Sequence, residues 1–115
     1  MNATLTRISH QLDTVAGVVT VTIPGDILST NADALRAELF DLLEAPQIKG
    51  SPWHTLKLDL TGAQMVDSVG LNLIVSLVRA VKARQGTVAA AISSANILRT
   101  FKFTRLDKQI TLGKA

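Results

Sequence analysis

Residues 56–82 constrain this chain more than any other stretch. Leu56, Leu58 and Leu60 alternate with Lys57 and Asp59, the period-two pattern of a strand with one buried face. The loop residues 61–67 break the pattern. From about Ser68 to Arg84, apolar residues then cover most of a helical circumference. A strand that feeds directly into a buried helix is half of a parallel crossover, so alternating strands and helices are expected around it. The turn ends in Asp67-Ser68, which sets a carboxylate and a hydroxyl at the start of the helix.

The flanking segments continue the alternation. Residues 5–12 alternate weakly, with Ile8 and Leu12 opposite Arg7 and Ser9, and read as an edge strand. Residues 13–17 supply a turn. Residues 18–23 place Val19, Val21 and Ile23 on one face and Thr20 and Thr22 on the other, a β-branched strand that Pro24-Gly25 stops. The two strands predict an antiparallel hairpin. Thr30, with Asp33 three positions on, resembles a capping box. Leu35, Leu39 and Leu42 follow at helical spacing, with the end expected near Glu44, before Pro46. Residues 46–52 read as a loop. Gly86 is placed to end the second helix. Residues 87–92 form a short apolar run, as in an interior parallel strand. Ser93 or Ser94 is expected to cap a further helix carrying Ile97, Leu98 and Phe101, and residues 107–112 to form a last short strand. The expected architecture is a single α/β domain over residues 1–115. It has a mainly parallel, four- to five-stranded sheet, an N-terminal hairpin and helices packed on it.

Composition narrows the function. In 115 residues, 47% are apolar and only 3% aromatic, so aliphatic side chains must fill the core and few rings remain for stacking bases. The net charge of +3 contains no Lys/Arg run. The clusters at 79–84 and 99–108 are interrupted by apolar residues, as solvated helix faces are, and no nucleic-acid partner is expected. The absence of cysteine excludes disulfides and thiolate metal sites and suits a cytoplasmic setting. The longest apolar stretch, 71–81, contains Asn72, Ser76 and Arg79 and is too short for the about 20 residues a membrane span requires; no direct membrane insertion is expected. Residues 1–12 lack the apolar core of a signal peptide.

Catalytic patterns are missing as well. No phosphate-binding P-loop and no Gly-x-Gly-x-x-Gly turn is present. Ser68 lies outside any Gly-x-Ser-x-Gly elbow, with no histidine downstream to serve as its base. His10 and His54 are far apart and have no ligand pattern. Asp59 belongs to a strand and Asp67 to a helix start, which argues against a paired acid and base. Neither enzymatic activity nor a metal or cofactor is expected. From the residues alone, Asp67-Ser68 is a helix cap, a functional site, or both.

Asp59-Leu60-Thr61-Gly62, a short loop and Asp67-Ser68-Val69-Gly70-Leu71 together resemble the STAS domain of anti-sigma factor antagonists. Gly25 followed by Ala32-Asp33-Ala34-Leu35-Arg36, residues 96–101 and Leu106-Asp107-Lys108 extend the resemblance over nearly the whole chain. It implies that Ser68 is phosphorylated by a partner anti-sigma factor that is also an ATP-dependent serine kinase. It also implies that the unphosphorylated form binds that partner and frees the sigma factor, and that a serine/threonine phosphatase resets the cycle. A phosphate brings about −1.5 to −2 charges. The helix dipole tolerates them, while a partner surface fitted to a hydroxyl does not.

On this reading the partner-binding face comprises Asp67, Ser68, Gln64, Met65 and the polar strip Asn72, Ser76 and Arg79, with Asp26 near it in the loop that flanks the switch. Met65 and Val66 read as core more readily than as contact. Two positions depart from the family pattern. Val69 replaces a frequent second serine, and Leu28 replaces a frequent aspartate. STAS-like domains also serve as scaffold subunits of stress-signalling complexes and as cytoplasmic accessory subunits of membrane transport systems. A nucleotide-sensing role is a third alternative, and self-association is left open.

Overall fold

The computed structural model describes residues 8–113. Five strands form one sheet in sequence order: β1 (Ser9–Asp13), β2 (Val18–Thr22), β3 (Thr55–Leu60), β4 (Thr87–Ile92) and β5 (Thr111–Gly113). β1 pairs antiparallel with β2, and every later pairing is parallel. The connections carry α1 (Ala32–Glu44), α2 (Pro46–Lys49), α3 (Ser68–Ala83) and α4 (Ala95–Phe103).

Strands laid down in sequence order, joined by right-handed crossovers, place their helices on one face of the sheet. The burial pattern agrees. Val19, Val21, Leu56, Leu58, Leu60, Val88, Ala90 and Ile92 are buried with Leu35, Leu39, Leu73, Ile74, Leu77, Ile97 and Phe101. Thr20, Lys57, Ala89 and Thr111 form a register row on the opposite face, where each is half-buried or exposed. The sheet therefore has one dry face and one open face.

Several boundaries differ from expectation. The edge strand starts at Ser9 and runs to Asp13; residues 5–7 lie outside the described residues. Asp13 then accepts the amides of Val15 and Ala16 through Oδ1, which shapes the turn. The cap of α1 is Asn31, not Thr30, and its side chain does not bond into the helix. Instead its Oδ1 accepts from the Leu28 amide (2.9 Å) and its Nδ2 donates to the Asp26 carbonyl (2.8 Å), which holds the preceding loop.

The loop expected at 46–52 contains the one-turn helix α2. Pro46 presets its first residue and Ile48 plugs the core, 1% exposed. At the end of α3 the left-handed residue is Gln85 (φ 66°). Gly86 is needed for close approach, since a Cβ there would lie 2.7 Å from the His54 carbonyl oxygen. The last expected strand begins as a 3₁₀ turn, Leu106–Lys108, that buries Leu106; pairing is confined to β5.

Candidate functional site

The loops leaving the carboxyl ends of β2, β3 and β4 meet at the start of α3. Beyond the strands proper, Ile27 and Val66 form an isolated parallel bridge. The Ile27 amide donates to the Met65 carbonyl (3.1 Å) and the Asp67 amide donates to the Ile27 carbonyl (3.2 Å). Asp26 reinforces this contact from one side, its Oδ1 accepting from the amides of Gln64 (2.7 Å) and Met65 (3.1 Å). Ser94 reinforces it from the other side. Its Oγ donates to the Gln64 carbonyl (2.9 Å) while accepting the Ile97 amide at the start of α4 (3.3 Å).

Asp67 is the junction. Its Oδ1 accepts from the Gly70 amide (2.8 Å), capping α3, and its Oδ2 accepts from the Ser29 amide (2.7 Å) in the other loop. The Gly70 amide, then that of Ser29, holds the carboxyl below its ordinary value, because each favours the ionised form. Gly70 sits where α3 presses on the Ile27 bridge, and a Cβ there would collide with the Ile27 carbonyl oxygen. The Asp-Ser-x-Gly spacing thus supplies both the cap and the room for the helix to dock.

Ser68 is the first residue of α3 and is exposed. Among the described residues its hydroxyl has no hydrogen-bond partner, so it faces solvent from a rigidly held backbone. Met65, three residues before it, and Val69, directly after it, are 52% and 42% exposed. Met65 is therefore surface and not core, whereas Val66 is buried as expected. The carbonyl and amide of Gln64 are spoken for, but its side chain is exposed. Asn72 and Arg79 are exposed on the same side of α3; Ser76 is half-buried and returns its hydroxyl to the Asn72 carbonyl (3.0 Å). At 1.5 Å per residue, Arg79 lies about 17 Å along the axis from Ser68, so only Asn72 of the strip adjoins the serine. Asp26 is half-buried and committed to backbone amides.

Ser29 and Ser94 contribute through a backbone amide and a second hydroxyl bond, for which the sequence holds no signal. Val69 carries a signal, an apolar residue on the outward arc of α3, that its role as a missing serine obscured. Among the described residues, no group of three or more His, Asp or Glu side chains is arranged to hold a metal ion, and no helix is long and apolar enough to cross a membrane.

The fold and site define a one-sided α/β domain that presents a free serine at a latched helix start. The chain belongs to the STAS domain family, whose model matches residues 9–115. No curated protein matches it by sequence. Among solved structures it is similar to a candidate anti-sigma factor antagonist from Thermotoga maritima, with TM-score 0.78 and 20% identity over 94% of this chain and 86% of that one. It is similar to the phosphorylated form of the Bacillus cell fate determinant SpoIIAA, with TM-score 0.62 and 19% identity over 92% of each chain. It is also similar to part of the murine anion transporter Slc26a9, with TM-score 0.70 and 19% identity over 85% of this chain and 16% of that one.

Proposed function

We propose that this protein is an anti-sigma factor antagonist of the partner-switching kind, acting in the cytoplasm by binding and not by catalysis. The observation that carries the reading is Ser68: an exposed hydroxyl on the first residue of α3, with no hydrogen-bond partner among the described residues, next to the Asp67 cap and close in sequence to exposed Met65 and Val69. The unphosphorylated face of Met65, Ser68, Val69 and Asn72 binds an anti-sigma factor that is also an ATP-dependent serine kinase, with Gln64 at its margin. A phosphoryl group on Ser68 adds about −1.5 to −2 charges beside Asp67. The helix N-terminus tolerates that charge, but a dry interface cannot desolvate it cheaply. The fold stays intact and the contact is lost; a serine/threonine phosphatase restores it. Asp26 supports this face from behind through the amides of Gln64 and Met65.

The test is incubation with the candidate kinase partner and ATP, followed by mass spectrometry of the Ser68 peptide. Ser68→Ala is expected to bind constitutively and Ser68→Asp not to bind. Equal binding by the two variants sinks the switch. The likeness to part of Slc26a9 supports a second reading, an accessory subunit of a transport system in which Ser68 is only the first residue of a capped helix. A Ser68 mass that never changes, together with capture of a transporter, would favour it.

A further inference from the structure

Charge is unevenly divided along this chain. Residues 1–76 hold four Lys/Arg against eight Asp/Glu, whereas residues 77–115 hold eight against one. The fold sets five of these cations around the C-terminal ends of α3 and α4. The buried residues of α4 are Ile97 and Phe101; Arg99, Lys102 and Phe103 fall within about 100° of each other on the opposite arc, at 100° per residue. The chain then turns tightly. The Arg105 amide donates to the Lys102 carbonyl, and the Lys108 amide to that of Arg105, which keeps both cations beside the end of α4. Lys82, from the last turn of α3, reaches the same region, its Nζ donating to Gln109 Oε1 at 3.4 Å. Among the described residues, none of these five cations pairs with a carboxylate. The lone carboxylate of the stretch, Asp107, is half-buried. Phe103, the last residue of α4, is 88% exposed.

We infer that the surface of Lys82, Arg99, Lys102, Phe103, Arg105 and Lys108 docks on an anionic lipid surface. Single-sign charge around one protruding ring suits a fluid headgroup layer, which supplies negative charge without matched geometry and an apolar layer beneath it for the ring. Duplex nucleic acid would match the charge but leave Phe103 in water. The patch lies around the C-terminal ends of α3 and α4, and α3 is about 24 Å long, so docking leaves Ser68 at its far end free. The inference does not depend on the phosphorylation of Ser68.

The test is co-sedimentation of the whole protein with vesicles of phosphatidylcholine alone and of phosphatidylcholine mixed with phosphatidylglycerol, at low and high salt. Binding to the mixed vesicles only, weakened by salt, is expected. Each charge removed should lower partition about fivefold, so Arg99→Gln with Lys102→Gln should cost about 25-fold. Phe103→Ser, at an exposed position that leaves the core untouched, should cost several-fold more than Thr104→Ser beside it. No binding to either vesicle, equal binding to both, or tighter binding to duplex DNA that ignores Phe103→Ser would overturn the inference.

Discussion

The carboxylate of Asp67 accepts the amide of Ser29 at 2.7 Å, joining two loops that are 38 residues apart in sequence. The same side chain caps α3 through Gly70. The serine that follows Asp67 is therefore positioned by a connection between loops as well as by its own helix.

That connection makes the site sensitive to acid. Hydrogen-bond donors depress the carboxyls of both Asp67 and Asp59, the latter mainly through the Thr61 hydroxyl and then the Thr61 amide. A depressed folded-state pKa means stabilisation that is complete above the ordinary carboxylate value of 3.8 and is lost as pH falls through the lower folded value. Asp67→Asn is expected to flatten the acid limb of a stability-versus-pH curve measured by urea unfolding. A limb unchanged from the parent protein would show that the loop connection contributes nothing.

Gly70→Ala sets two effects in opposition. Alanine gains about 1 kcal/mol of helix propensity over glycine. The added Cβ meets the Ile27 carbonyl, a backbone atom held in the bridge to Val66, and overpacking of this kind costs about 1–3 kcal/mol. A net loss of stability is expected in denaturant unfolding, with amide shifts at Ile27 and Asp67. A more stable variant would mean that α3 can shift away from the bridge.

Removing Asp26 should loosen the loop more than the fold. Its Oδ1 is the acceptor for the amides of Gln64 and Met65. Asp26→Ala should cost about 1–2 kcal/mol globally. It should also raise hydrogen exchange at those two amides more than at Leu58 in β3. Uniform loss of protection across β3 would instead assign Asp26 to the stability of the whole sheet.

At the opposite end of α3, the Arg84 guanidinium lies 3.9 Å from the ring centroid of Trp53 and donates to the Trp53 carbonyl at 3.1 Å. Trp53 is the chain's single tryptophan, so its fluorescence reports this contact without interference. Arg84→Ala should change the emission and lower stability by about 0.5–2 kcal/mol. Arg84→Lys should recover only part of either, because an ammonium cannot stack as a plane. Unchanged emission in Arg84→Ala would show that the stacking is not maintained in solution.

Much of the fold was legible because its signals are local. The alternations at Val19-Val21 and Leu56-Leu58-Leu60 marked buried strand faces, and the apolar arc of α3 marked its buried side. Asp67 at the helix start was legible for the same reason: a cap bonds within its own turn. Thr30 misled because its spacing to Asp33 imitates a capping box, while the loop spends Asn31 on its own backbone. Residues 46–52 misled because one helical turn is too short to show a period, and only the core reveals why Ile48 is there. Met65 and Val66 part ways only in the structure, one exposed and one buried, because hydrophobicity alone does not say which side of a loop faces water.

The sequence by itself determined the order of the strands and of the three longer helices, the α/β class and the pairing of a carboxylate with a hydroxyl at Asp67-Ser68. Those rest on periods of two and 3.6 residues and on contacts within a turn. Only the tertiary structure decided that Asp26, Ser29 and Ser94 hold that turn from two other loops, that Gly70 is needed to clear Ile27, and that Lys82 reaches Gln109 beyond the end of α4. Such contacts join residues tens of positions apart, and pattern along the chain carries no record of which distant backbone groups will face each other once the sheet is formed.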